Sequence, residues 1–291
     1  MQESKAELGS ARPGRRVTPR RSLIHHERPC VSTRTLQSGS IMDDSHATVP
    51  TAGLVVIGNE ILTGKTTDTN STYLCRELTQ LGVQVERLTT IPDRFDQIGA
   101  TVREFSETFT WVFTSGGIGP THDDITIPAI AAAFGVPVLR HPALEAHIRQ
   151  HYGARTTEDH LLMAQVPEGA ALIPVEGLSH PQIQFRNIFI FPGVPELFRH
   201  KLDGIKERFR TRPVMLHQFF LMADEGVIAA TLRQAAERHP AVWIGSYPNL
   251  FRKEYSVKVT VEGREEATLR IAVEELREGL SRLPVTLVRE E

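Results

Sequence analysis

Two cysteines in 291 residues, Cys30 and Cys75, allow neither a disulfide framework nor a cysteine-based zinc site. An excess of one charge is missing too: 33 Lys and Arg face 35 Asp and Glu. A formal net charge of −2 implies no general attraction to nucleic acid or to an anionic membrane. No apolar run approaches the roughly 18–20 residues that a membrane-spanning helix needs. The glycine loop at 116–119 lacks the following Lys-Ser/Thr of a P-loop, which argues against an NTP-driven motor or GTPase. The Gly-X-Ser-X-Gly elbow of serine hydrolases is likewise absent. What remains is 40% hydrophobic and 23% charged residues, the composition of an ordinary globular protein with a substantial core. A cytoplasmic enzyme or small-molecule binder is expected, with no nucleic-acid and no membrane partner.

Residues 1–48 differ in kind. Through Ile41 they carry eight Lys and Arg against three acids, many Ser, Thr and Pro, and no apolar period. Such a segment buries too little surface to offset its ordering entropy. A disordered basic tail or a mis-assigned start is expected, with Met42 as the alternative initiator; an organelle-targeting peptide is the other reading.

From residue 49 the pattern alternates. Residues 53–58 read as a buried strand closed by glycine, residues 59–64 as a loop, and Leu74, Leu78 and Leu81 as one helical stripe ending at Gly82. Residues 83–88 read as a strand, and Phe95, Ile98, Val102, Phe105 and Phe109 mark the next helix. A strand over 111–115 and a helix over 127–134 follow. This alternation predicts an α/β fold: a doubly wound, mainly parallel sheet, with ligands beyond the carboxyl ends of its strands. Residues 144–152 and 158–165 read as helices, 171–174 as a short strand, 184–191 as one alternating strand, and 195–209 as a helix. Residues 213–291 read as a smaller C-terminal α+β domain, helices on one face of an antiparallel sheet, and 49–212 as the larger domain.

The most informative segment is residues 114–126. A strand runs into Gly116-Gly117-Ile118-Gly119, then Asp123-Asp124, then a helix. Glycines let backbone N–H groups close on a phosphate, and a helix N-terminus adds a favourable dipole. Carboxylates beside a phosphate repel it unless a divalent cation lies between them. Together these features predict a metal-assisted phosphate or nucleotide site.

With Gly58-Asn59-Glu60-Ile61-Leu62-Thr63-Gly64, Asp68-Thr69-Asn70 and residues 116–126 in view, residues 54–200 resemble the MoaB/Mog molybdopterin-binding domain. The form most similar is the leading domain of competence/damage-inducible protein A (CinA). Phe191-Pro192-Gly193-Val194-Pro195-Glu196-Leu197 and Ile244-Gly245-Ser246-Tyr247-Pro248 look closer still to the leading domain of eukaryotic-type FAD synthases. Neither the trailing amidase domain of many CinA proteins nor the FAD-forming domain of the synthases is matched. The glycine-rich stretch that the family carries before Pro-Gly-Val-Pro is here Glu176-Gly177-Leu178-Ser179-His180-Pro181.

The resemblance implies metal-dependent pyrophosphatase chemistry on an ADP-containing dinucleotide, FAD or ADP-ribose. Molybdopterin binding or adenylylation in molybdenum cofactor biosynthesis, or a non-catalytic nucleotide- or pterin-binding module, are the rivals. The catalytic candidates are Asp124, Asp123 and Asp93, the last matching a second acidic position of the family. Asp124, Asp123 and Glu60 are the metal-ligand candidates, for Mg²⁺, Mn²⁺ or Co²⁺. Phosphate or nucleotide contacts are assigned to Gly58, Ser115, Gly116, Gly117, Gly119, Thr121, Asp68, Asn70, Pro192 and Gly193. Bland readings stand beside several of these: helix capping for Asp68 or Asn70 and for Asp93, and an exposed turn for Asp123. Molybdopterin is the alternative ligand, and a homo-oligomer is expected.

Overall fold

β1 (Thr51–Ile57) is buried almost throughout, as expected of a central parallel strand. Gly53 on β1 leaves room for the rings of Phe105 and Phe109; a Cβ there would lie 2.4 Å from Phe109. The structure, a computed structural model, describes residues 49–249 and 254–291, so the expectations for residues 1–48 lie outside the described residues. After β1 come α1 (Asn59–Leu62), α2 (Asn70–Gln80), β2 (Gln84–Ile91), α3 (Phe95–Thr108), β3 (Trp111–Ser115) and α4 (Thr126–Ala133). There follow β4 (Val138–Arg140), α5 (Pro142–Tyr152), α6 (Glu158–Leu162), β5 (Gln165–Pro167), β6 (Ala171–Val175), β7 (Leu178–Phe185), β8 (Ile188–Phe191) and α7 (Pro195–Ile205).

The main sheet has the order β2-β1-β3-β8-β7-β6. The first four strands are parallel, and the β8-β7-β6 end is antiparallel. On one face Leu74 and Leu78 of α2 and Phe198 and Leu202 of α7 pack on Phe113, Phe189 and Phe191. On the other, α3, α4 and α5 supply Ile98, Val102, Ile127, Ile130, Leu144 and Ile148. This is the doubly wound, mainly parallel α/β sheet that the alternation predicts. From β1 the chain runs outward to β2 on one side and returns to β3 on the other. The crevice between the carboxyl ends of β1 and β3 is therefore a topological switch point, where such sheets bind ligands.

Three local readings are corrected. Residues 59–64 are not simply a loop but open with the one-turn helix α1. Residues 158–165 are not one helix: α6 stops at Leu162, and β5 pairs with β4, burying Val166. Residues 184–191 are not one strand but the end of β7, a turn, and β8. The turn uses Arg186 at φ 54° and is anchored by Asn187, whose Nδ2 donates to Ser106 O and Phe109 O, both at 3.0 Å. The hairpin thus closes on the C-terminus of α3, satisfying carbonyls that the helix leaves open.

β9 (Met215–Met222), α8 (Glu225–Arg238), β10 (Trp243–Pro248), β11 (Val257–Gly263), α9 (Glu266–Ser281) and β12 (Thr286–Glu290) complete the chain. Their sheet, β10-β11-β9-β12, is antiparallel throughout. Phe219, Leu221, Val259 and Val261 form its apolar face with Ile228 of α8 and Leu276 of α9. The small α+β arrangement expected of residues 213–291 is present.

Candidate functional site

The site grows from four strand ends. β1 ends at Gly58, whose N–H donates to Ile91 O at the end of β2 (3.1 Å). β3 ends at Gly116, whose N–H donates to Phe191 O at the end of β8 (3.1 Å). Gly116 and Gly117 have φ of 109° and 66°, the left-handed region that glycine enters without a Cβ penalty. A Cβ at Gly116 would stand 2.1 Å from Ile57 O, and one at Gly117 would stand 2.3 Å from Thr126 Oγ1. The missing side chains therefore let the turn sit down on β1 and on the first residue of α4. Thr126 completes this seat, its N–H donating to Gly117 O and its Oγ1 to Gly116 O, both at 3.0 Å.

What the turn leaves open is its amides. The N–H groups of Gly117, Ile118 and Gly119 donate to no described residue. Three consecutive unpaired donors beside a switch point are groups with which a backbone turn can take an anion. Gly116, by contrast, has spent its N–H on Phe191, so its part is to shape the turn rather than to contact phosphate.

The carboxylates divide by what holds them. Asp124 Oδ2 accepts from Thr121 N–H (2.8 Å) and from Thr121 Oγ1, while Oδ1 has no partner among the described residues. Its carboxylate folds over Gly119, where a Cβ would lie 2.7 Å from Oδ2. Thr121 is thus a positioning partner of Asp124, not a free nucleotide contact. Asp123 lies exposed next to it. Asp93 Oδ2 accepts from Asn59 N–H (2.8 Å), tying the loop after β2 to the start of α1. Asp68 accepts from Ser71 N–H (3.0 Å) and Ser71 Oγ, so it caps α2 and has no hydrogen to offer a phosphate.

Asn70 is the crosspiece. It is 5% exposed, and its Nδ2 donates to Ser115 Oγ (3.0 Å) and to Gly193 O (2.9 Å), joining α2 to the ends of β3 and β8. Both amide hydrogens are spent, so the phosphate contact expected of Asn70 is not available from them. Pro192 is buried and Gly193 exposed, which places that phrase as a wall of the site. Glu60 lies over Gly58: a Cβ there would stand 2.5 Å from Glu60 Oε1. Asn70, Ser115, Gly193 and Glu60 line a cavity of about 40 Å³ together with Thr66 and Thr67. Sequence reasoning missed those two threonines; the one signal was the polar run between Gly64 and Asp68.

This geometry can be set beside known proteins. Residues 53–216, more than half of the chain, match a family described as a probable molybdopterin binding domain. The chain belongs to that family. Residues 213–287 match the middle domain of FAD synthase. An Archaeoglobus fulgidus protein is 30% identical over 78% of this chain and 97% of its own. A CinA-like protein from Myxococcus xanthus is 31% identical over 77% of this chain and 57% of its own. A probable FAD synthase from Caenorhabditis briggsae is 29% identical over 79% of this chain, which spans half of that relative's length. Among solved structures, a CinA protein of unknown function from Thermoplasma acidophilum superposes with a TM-score of 0.51 and 31% identity. It covers 55% of this chain and 99% of its own.

The metal-ligand set Asp124, Asp123 and Glu60 does not form a ready cage. Among the described residues no three His, Cys, Asp or Glu side chains stand close enough together to hold an ion. The free Oδ1 of Asp124 still fits a hard divalent cation, because Mg²⁺ and its like take one or two carboxylates and complete their shell with substrate phosphates and water.

Proposed function

We propose that this protein is a metal-dependent nucleotide pyrophosphatase that cleaves an ADP-containing dinucleotide, FAD first and ADP-ribose second. The reading is carried by one observation, the run of unpaired amides at Gly117, Ile118 and Gly119 beside an anchored Asp124. In this reading the three N–H groups take the phosphate oxygens. Thr121 fixes the carboxylate of Asp124 in one orientation, so that its free oxygen is preorganised at the edge of the phosphate chain. A divalent cation held by Asp124, with Asp123 or Glu60, supplies phosphate charge neutralisation and an acidified water. Gly116 and Thr126 keep the turn from collapsing, and Asp93 does the same for the loop after β1.

The test is incubation of the purified protein with FAD or ADP-ribose and Mg²⁺, Mn²⁺ or Co²⁺ in turn. FAD is expected to give FMN and AMP, ADP-ribose to give AMP and ribose 5-phosphate, and chelation to stop both. No product with any of the three metals refutes the proposal. A second reading, molybdopterin binding or adenylylation, is favoured by the family match over residues 53–216. It requires pterin affinity, and adenylylation requires ATP; a fluorescence titration without pterin binding removes it.

A further inference from the structure

The cavity next to the glycine turn has a polarity that phosphate does not match. Asn70 Oδ1 is buried and has no hydrogen-bond partner among the described residues. Its amide orientation is fixed, because Gly193 O, 2.9 Å from Nδ2, can only accept; turning the amide over would set two acceptors against each other. Ser115 Oγ accepts from Asn70 and keeps its own hydrogen, which reaches no described acceptor. The carboxylate of Glu60, on the same wall, bonds to no described residue; its backbone oxygen accepts from Thr66 N–H (3.1 Å). A free buried acceptor therefore stands beside a free hydroxyl donor. Phosphate oxygens offer no hydrogen to the first, and an ammonium group accepts nothing from the second. A hydroxyl does both.

Size points the same way. A volume of about 40 Å³ takes one or two groups the size of a water molecule and no bicyclic ring. Place completes the argument: Ser115 immediately precedes the 116–119 turn, so a group in the cavity is a short covalent reach from a phosphate on the turn's amides. We propose that this cavity is a hydroxyl-reading subsite for the sugar or sugar alcohol esterified to the bound phosphate, with Asn70 Oδ1 and Ser115 Oγ as its specificity-determining atoms. The proposal rests on the pyrophosphatase reading for the position of the phosphates, and it deepens that reading by naming the adjacent chemistry.

Calorimetry on the full chain with Mg²⁺ tests it, using inorganic pyrophosphate, ADP, 2′-deoxy-ADP, 3′-deoxy-ADP and FMN as probes. One of the deoxy forms is expected to bind about 10-fold more weakly than ADP, the worth of a lost hydrogen-bond pair. Ser115→Ala is expected to weaken ADP by a similar factor and to erase the discrimination. Should FMN, and not ADP, weaken in Ser115→Ala, the occupant is the ribityl chain and the subsite stands. Deoxy forms binding as ADP does, with FMN indifferent to Ser115→Ala and pyrophosphate still bound, overturn the subsite alone. No pyrophosphate binding at all overturns the phosphate reading and the subsite with it. The deoxy comparison needs no variant, and if Ser115→Ala misfolds, Ser115→Cys, which keeps the side chain's shape with a weaker donor, takes its place in the FMN comparison.

Discussion

Two glycines of the turn differ in what a methyl group would meet, and that difference separates folding from function. At Gly116 a Cβ strikes the backbone oxygen of Ile57 at 2.1 Å, at a φ of 109° that other residues rarely adopt. Gly116→Ala is expected to cost about 2 kcal/mol or more, read as a lowered Tm. At Gly119 the Cβ meets only the end of the Asp124 side chain, at 2.7 Å. Gly119→Ala should therefore fold with a nearly unchanged Tm while displacing the carboxylate and losing turnover. Asp124→Asn tests the same atom more gently: it keeps an acceptor for Thr121 and removes the charge. Turnover on FAD should fall about 100-fold, with Tm unchanged within experimental scatter. Full activity in Asp124→Asn would remove Asp124 from the chemistry. At this scale the sequence was partly readable. The Asp68 cap follows from an acid placed three residues before Ser71, a local relation. The Asp93 bond to Asn59 spans 34 residues, and nothing local announces it.

Elements were legible where one face is buried and local. The stripes of α2 and α3 and the apolar run of β1 follow directly from their spacing. The β7–β8 hairpin was hidden because alternation continues through its turn and the deciding contact, Asn187 with the end of α3, is distant in sequence. The same region holds a buried pair. Lys201 of α7 is 2% exposed; its Nζ donates to Pro181 O (2.5 Å) and His180 O (3.1 Å) and lies 3.3 Å from His180 Nδ1. Burial, then the neighbouring Lys201 charge, push the His180 imidazole down to about 4, and burial pushes Lys201 down to about 8. Between pH 6.5 and 4 the unfolded chain binds a proton at His180 that the folded chain refuses, so stability falls as pH drops through that window. The loss is on the order of 3 kcal/mol from a shift of this size. For Lys201 the unfolded chain holds its proton up to about pH 10.5, so stability rises from pH 8 towards 10.5. Stability plotted against pH, from denaturant melts of the wild type and His180→Gln, should run parallel just above pH 6.5 and differ in slope below it. Identical slopes would contradict the burial of a neutral His180.

Across the whole molecule, the step from the main sheet to the antiparallel one is fastened rather than loose. Thr211 N–H donates to Leu81 O (2.8 Å), and Arg264 Nη1 donates to Arg212 O (2.9 Å). Gly82, at φ 83°, gives Arg212 O the space that a Cβ would enter at 2.1 Å. Gly82→Ala should lower Tm by about 5 °C, from roughly 2 kcal/mol of strain in a chain of this size. An unchanged Tm would mean that the linker does not rest there. The fold class followed from the order of strands and helices; the pairing of β6, β7 and β8 did not, because antiparallel return inside a parallel sheet depends on contacts between distant segments. The candidate site was located by its glycines, and the proposed working parts are the unpaired amides of Gly117, Ile118 and Gly119. The most direct measurement is therefore an amide-resolved NMR titration of the full chain with inorganic pyrophosphate and Mg²⁺. Saturable shifts centred on the N–H groups of Gly117, Ile118 and Gly119 are predicted; shifts elsewhere with those three amides unmoved would contradict the site.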